Sequence, residues 1–523
     1  MRGPRSRTWP YPVLAALLAA VTPAAVADEP TPTEQKIAPT AFNAEQPDPQ
    51  LRWGVGDGKS AWIPLGDILL FDFLLNQFDR RYVEPQEDFE SDWDSIENNF
   101  TGHWVYDSDS FDVNQFGHPY QGSMYHGFAR SAGQNYWAAL GYTIAGSTLW
   151  EIAGETTPPS INDQLTTGFG GTLLGEPLFR MASLVLETSD RRPSGLRTFA
   201  AALVSPATGF NRMAFGRRFD GVFRSGEPAV HTRANLGANL DARIRSDVNT
   251  NPDPDTPPIP QSYRRGEAVL DFTMVYGLPG KPGYRYERPF DYFHFQLTTT
   301  SSNMLENLIT RGLLVGAPIG DGEHYRGVWG VYGSYDYIAP QIFRVSNTAL
   351  NLGTTGQWWV SRNVALQNEV VAGVGYGSGG VTRSSGLRDY HYGITPQALA
   401  GLRLIFADVA AFEVTARDYY ITDRGSDTAA GTENLARGDA SLTVRVWGLH
   451  GVTLRYVTSE RSAHYDALPD IDQRVTAISL GYTYLGHKWF GAVDWRPRPE
   501  QRTGEVLEKA KEEVKESTEE ILK

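Results

Sequence analysis

Three ionisable residues stand where a bundle of helices can bring them together: His118, Glu151 and Asp163. In the run Asn114-Gln115-Phe116-Gly117-His118-Pro119-Tyr120, the proline suits the first position of a helix, which puts His118 at or near its N-cap. A helix N-terminus disfavours positive charge, so an imidazole there is expected to stay neutral and able to accept a proton or bind a metal. A second helix, over 135–152, carries Gly141, Ala145 and Gly146 on one side and ends near Glu151 and Glu155. Ser160 and Asp163 then have the spacing of a capping box at the start of a third helix. Antiparallel packing places the start of the first helix, the end of the second and the start of the third at one end of the bundle. The chemistry implied is proton transfer, with His118 as general base and Glu151 or Asp163 orienting it or holding a divalent cation.

Plainer readings of the same residues are caps and ion pairs. Ser160 and Asp163 have the types and spacing of helix caps, and Glu176 and Arg180, four apart, form a helix ion pair. The third helix bears Gly168, Gly170, Gly171 and Gly175, and the four-residue spacing of the last two lets helix backbones approach closely. No Gly-x-Ser-x-Gly elbow, His-Glu-x-x-His pair, phosphate loop or dinucleotide fingerprint occurs, and no cofactor is expected. The chain has no cysteine, which excludes thiol chemistry, disulfides, a lipidated cysteine and cysteine-based zinc sites.

The element that positions this block in the cell lies after it. From Val230 to Ser246 apolar and polar residues alternate, with Leu236, Ala238 and Leu240 against Asn235, Gly237, Asn239 and Asp241. A period of two over such a length fits a bilayer-crossing barrel strand, one face to lipid and one to the lumen. Soluble strands are shorter, about 5–6 residues. The pattern returns at 268–276, 293–297, 329–337, 366–376, 398–406, 410–416, 440–446, 452–456 and 478–484. The fold class is therefore α+β: an N-terminal glycine-rich helical bundle over 51–217, then a transmembrane antiparallel β-barrel of about 12 strands over 228–496. Arg243, Asp271, Glu369, Arg403 and Arg417 suit a hydrated barrel interior.

Residues 1–27 read as a secretory signal, with Arg2, Arg5 and Arg7 before an apolar run and Ala25-Val26-Ala27. Residues 28–50 are a proline-rich flexible leader, and 500–523 a charged helix able to dock on an envelope protein partner. A net charge of −14, or −17 without the signal, disfavours nucleic acid. Mean hydropathy of −0.36 excludes a bundle of membrane-spanning helices but not a barrel, which hides its apolar residues in alternate positions. Secretion plus alternation places the protein in the outer membrane of a Gram-negative cell, with outer-membrane lipid as partner. The first hairpin loop, from Asp247 to Arg264, is long, so the first strand runs outward and the helical block is tethered in the periplasm or plugs the lumen.

The stretches "NQFGHPYQGSMYHGFARSAG", "GSTLWEIAGETTPPSINDQ" and "GGTLLGEPLFRM", within 114–181, resemble an uncharacterised bacterial envelope family, domain of unknown function 3943. That resemblance covers most of 60–220 and implies no activity. A fainter similarity links His118, Glu151, Asp163 and Gly170 to the VanZ-like membrane families, with Asn114, Gln115 and Thr167 departing from the pattern. Three functions follow from the residues: a structural or transport barrel with a helical plug or periplasmic domain; an envelope hydrolase or transferase acting on a lipid headgroup through His118, Glu151 and Asp163; and a scaffold for an envelope protein.

Overall fold

The structure is a computed structural model that describes residues 58–496, apart from 84, 107–108, 188–192, 217, 220–222, 247–261, 341, 382–389, 423–430, 466–469 and 488. The signal (1–27), the leader (28–50), the charged tail (500–523) and most of the first hairpin loop lie outside the described residues.

Twelve antiparallel strands form a closed barrel. They are β1 (Val230–Ser246), β2 (Ser262–Tyr276), β3 (Phe293–Thr300), β4 (Asn307–Ile319), β5 (Tyr325–Ile338) and β6 (Phe343–Ser361). The circle continues through β7 (Val364–Val381), β8 (Tyr390–Phe406), β9 (Ala410–Ile421), β10 (Gly431–Trp447), β11 (His450–Tyr465) and β12 (Ile471–Leu485). Each strand pairs with its sequence neighbours and β1 closes on β12, so the sheet has no open edge, as a membrane demands. The β4–β5 turn is held by Asp321, whose carboxylate accepts the N–H groups of Glu323, His324 and Tyr325 at 2.8–2.9 Å. Those donors favour the charged form and hold its pKa down to about 2.

Alternation along β1 works as expected up to Asn239: Leu236 is 59 % exposed and faces outward, while Asn235 is buried in the lumen. A bulge then shifts the register between Asn239 and Asp241 and reverses the faces. Ala242 and Ile244 are buried inside, and Arg243 is an exposed, outward residue paired with Asp241 at 2.7 Å. The sequence pattern continues unbroken through this point, so the assignment of Arg243 to the interior is corrected by one extra residue in the strand.

The lumen is filled in three layers. At the end that carries the β1–β2 and β5–β6 connections, Ile244, Ile309, Ile338, Phe343, Val345, Ile421 and Leu435 form an apolar cluster. Below it charged side chains pair across the barrel. Arg233 of β1 meets Glu413 of β9 at 2.7 Å, Arg455 of β11 meets Asp271 of β2 at 3.1 Å, and Arg311 of β4 meets Glu369 of β7 at 2.9 Å. Asp271, Glu369, Arg403 and Arg417 do face the interior, but in a packed ionic core rather than a hydrated channel; a gap beside Glu369 and Arg403 holds about 100 Å³. At the opposite mouth the segment 486–496 folds back inside, where Phe490 and Trp495 pack with Trp359, Ile405 and Leu485. Gln357 and Trp359 donate to the Val493 carbonyl at 2.7 and 3.1 Å.

Before the barrel come α1 (Trp62–Tyr82), α2 (Trp93–Thr101), α3 (His118–Ser131), α4 (Tyr136–Ala153), α5 (Ile161–Leu165), α6 (Gly171–Leu186), α7 (Gly195–Val204) and α8 (Pro206–Phe215). Single π-helical turns, Val113–Gly117 and Thr166–Gly170, lead into α3 and α6. The helices lie on the outer wall of the barrel. Pairing carries the outward face from Leu350 on β6 to Gly333 on β5, Gly312 on β4 and Phe293 on β3. On that face a Cβ added to Gly333 would meet Leu173 of α6, and Thr310 donates to the Leu173 carbonyl at 3.0 Å. Phe295, Leu297, Leu308, Tyr335 and Tyr337, all outward, form one core with Phe111, Leu174 and Leu178. The helical block thus attaches to the barrel from outside, and the lumen is occupied by other parts of the chain.

Candidate functional site

His118 sits one turn inside a continuous helical stretch rather than at its start. The preceding π turn is already helical, and the His118 N–H bonds to the Val113 carbonyl, so the helix-terminus argument for a neutral imidazole does not apply. The π turn matters for position: it aims Asn114 and Gln115 at the barrel wall. Asn114 donates to the Tyr390 hydroxyl at 2.8 Å, and the Tyr335 hydroxyl donates to the Gln115 carbonyl.

The bundle brings His118 and Asp163 together, with Nε2 and Oδ1 3.7 Å apart and both side chains buried. Nδ1 of the imidazole faces Gln121 Oε1 at 3.3 Å, which makes Nδ1 the protonated nitrogen and leaves Nε2 directed at the carboxylate. Gln121 donates to the Tyr125 hydroxyl at 2.6 Å, and Tyr125 in turn donates to Asp72 of α1. Asn162 donates to Asp163 at 2.8 Å and to the Tyr392 hydroxyl of the barrel wall at 2.9 Å. Glu151 stands one link away: its carboxylate accepts the Ser160 N–H at 2.7 Å, and Ser160 Oγ accepts the Asp163 N–H at 3.2 Å. Ser160 is therefore the cap of α5, and its own N–H, which a capping box would give to Asp163, goes to Glu151. A histidine and a carboxylate at this spacing, bridged to a second helix and to tyrosines of the wall, can hold and pass a proton. Among the described residues no group of three or more His, Asp or Glu is placed to hold a metal ion.

A second polar cluster is built around the ion pair Glu176–Arg180, which does form within α6 at 2.8 Å. Glu176 also takes Arg130 at 2.7 Å and His126 at 2.9 Å, both from α3. Arg180 reaches Asp291, in the β2–β3 connection, at 2.9 Å and donates to the Pro289 carbonyl at 2.6 Å. Arg130 and Arg180 balance Glu176 and Asp291 within the buried set beside a neutral His126, Arg288 also takes Asp291 at 3.2 Å from the more exposed side, and the cluster fastens α3, α6 and the barrel end together. Sequence reasoning missed His126, Arg130 and Asp291. The signal was present in the matched four-residue spacings His126/Arg130 and Glu176/Arg180. The two helices touch closely because they meet at glycine: a Cβ on Gly122 would lie 1.9 Å from the Thr167 carbonyl oxygen, and one on Gly175 2.9 Å from His126 Cβ. In α4, by contrast, only Gly146 is a contact, against Tyr125 and Ile68; Gly141 meets nothing.

These features define an outer-membrane β-barrel protein that carries a helical domain. Residues 103–207 match a family described as a domain of unknown function (DUF3943), a span that contains both polar clusters apart from Asp72, Asp291 and the wall residues. No curated protein matches the chain. Similar solved structures include the translocator domain of autotransporter NalP from Neisseria meningitidis, at 13 % identity and a TM-score of 0.24, covering 53 % of this chain and 97 % of that one. A FadL homologue from Pseudomonas aeruginosa gives 10 % identity and a TM-score of 0.22 over 49 % of this chain and 90 % of its own. The outer membrane protease OmpT from Escherichia coli gives 9 % and 0.17 over 50 % and 100 %.

Proposed function

We propose that the barrel is a structural anchor in the outer membrane rather than an open channel, and that its task is to hold the helical domain against its outer wall. The observation that carries this reading is the filled lumen: an apolar layer at one end, ion pairs linking β1 with β9, β2 with β11 and β4 with β7 in the middle, and the folded-back segment 486–496 at the other. The test is conductance of the purified full chain in planar bilayers. No stepwise conductance is expected, and deleting residues 51–217 should not create any, because the helices do not stop the lumen. Open-channel steps from the intact protein would overturn the reading. Placement of the helices is tested separately by a disulfide between Leu173→Cys and Gly333→Cys, which the cysteine-free chain makes unambiguous.

A second reading is supported by the approach of His118 to Asp163: an envelope enzyme acting on a lipid headgroup, with His118 as base, Asp163 as its carboxylate partner and Glu151 ordering the α5 start. Here His118→Ala and Asp163→Asn each remove one change in the envelope lipid profile while protein level and heat-modifiable migration of the barrel persist. Loss of protein abundance alone would assign the pair a structural role. The scaffold function through residues 500–523 stays a proposal of the sequence and is tested by truncating that tail.

A further inference from the structure

We propose that the outer surface of the helical domain is a lipid-contact surface, immersed in the acyl layer beside the barrel. The domain is built inside out. Along α1 every exposed position from Trp62 to Leu74 is apolar or glycine: Trp62, Leu65, Gly66, Leu69, Leu70, Phe73 and Leu74. The three acidic residues of the same helix, Asp67, Asp72 and Asp79, are all buried. Water-soluble helices show the reverse, since carboxylates are almost never buried in preference to leucine and phenylalanine. Exposed polar residues begin at Gln77 and continue with Arg80 and Arg81, which marks the level where the helix leaves the apolar zone. The apolar stretch rises about 20 Å at 1.5 Å per residue, most of the height of a barrel's apolar band.

Continuity with the barrel fixes the occupant. Ile68 of α1 packs on Gly146 beside Tyr125 of α3, and α3 meets α6 at Gly122 and Gly171. Leu173, in the next half turn of α6, rests on Gly333, whose outward rung continues to Leu350 and Val374. Those two are 59 % and 54 % exposed and belong to the barrel's lipid belt. The apolar face of α1 therefore lies at belt height, beyond α3 and α6 from the strands, where acyl chains surround the barrel. On α4 the exposed Trp137 extends the same surface. No described helix is long and apolar enough to cross a membrane by itself. Such helices meet lipid on one face only, so their buried carboxylates lower the mean hydropathy and hide them from a hydropathy scan. The inference rests on the outer-wall placement and not on the filled lumen, so a conducting barrel would leave it standing.

The test uses the full chain in vesicles of palmitoyl-oleoyl phosphatidylcholine, with single spin labels at Leu69→Cys and Phe73→Cys. Leu350→Cys serves as the lipid reference and Arg264→Cys as the water reference. Collision with molecular oxygen should be high, and collision with a water-soluble nickel chelate about tenfold lower than at Arg264, as at Leu350, because charged and polar solutes are excluded from hydrocarbon. Nickel accessibility equal to that at Arg264 would place the face in water and overturn the proposal. Low accessibility to both probes would also overturn it, by showing a protein cover such as a second copy. Heat-modifiable migration confirms a folded barrel and protease resistance of the helices a folded helical domain in each labelled variant, and Leu65→Cys substitutes for either that fails.

Discussion

In the barrel, charged residues point into the lumen and pair across it, and in the helical domain they point between helices and pair there. At the level of the lipid belt the surface turned outward is apolar in both. The difference lies in how the backbone is satisfied. A strand needs its neighbours, so it must present side chains alternately to two environments, and its pattern announces itself. A helix satisfies its own backbone, so one polar face can be turned to its neighbours and closed over by glycine contacts, as at Gly122, Gly171 and Gly175. The barrel is thus rigid through hydrogen bonds, and the helical domain is rigid through its buried ions.

The comparison breaks most sharply at Glu176. Glu176→Gln removes the carboxylate that Arg130 takes and leaves Arg180 with Asp291, which Arg288 also takes, and removing one partner of a buried ionic set costs about 3–5 kcal/mol. Limited proteolysis should show the helices released while heat-modifiable migration of the barrel remains; loss of both together would mean the two regions fold as one. In the wall, Leu236→Arg should cost about 2–4 kcal/mol in a vesicle-folding titration near the midplane. Its neighbour Asn235, buried in a filled lumen, should not tolerate Arg as a hydrated interior would: overpacking there costs about 1–3 kcal/mol. Arg243→Leu, on the reversed face beyond the bulge, should change stability by no more than about 0.5 kcal/mol in the same titration. Gly171→Ala, whose methyl would lie 2.5 Å from Gly122 Cα, should loosen α3 from α6 and raise protease sensitivity of the helices alone. Ser160→Ala should cost about 1 kcal/mol for a lost cap, read by thermal melting of the helical signal.

Barrel strands whose outward residues meet lipid were legible at once, β1 and β7 among them. β4 and β6 were not, and the reason is physical. Their outward residues under the helices, Thr310, Ser346 and Thr348, need not be apolar because protein covers them, so alternation fades where the wall is not lipid-facing. The same coverage explains why the outer-wall position of the helices could not be read: an outward Phe295 or Tyr337 looks the same in sequence whether lipid or α6 lies against it. At the site, the meeting of His118 with Asp163 followed from antiparallel helix ends. The π turn before His118 did not, because one inserted residue leaves no mark in composition, and neither did Asp291, which joins its cluster from more than a hundred residues away.

The segment 486–496 has a consequence for the order of events in folding. It hydrogen-bonds and packs on β1, through Gly486 N–H to the Thr232 carbonyl at 2.8 Å and through Gly491 against His231. β1 meets β12 only when the two ends of the barrel sequence come together, the pairing with the greatest loop-closure entropy in the molecule. The mouth this segment fills does not exist before that moment. Until then water can reach the charged side chains within, and the residues that expel it arrive last, carried by the final strand itself.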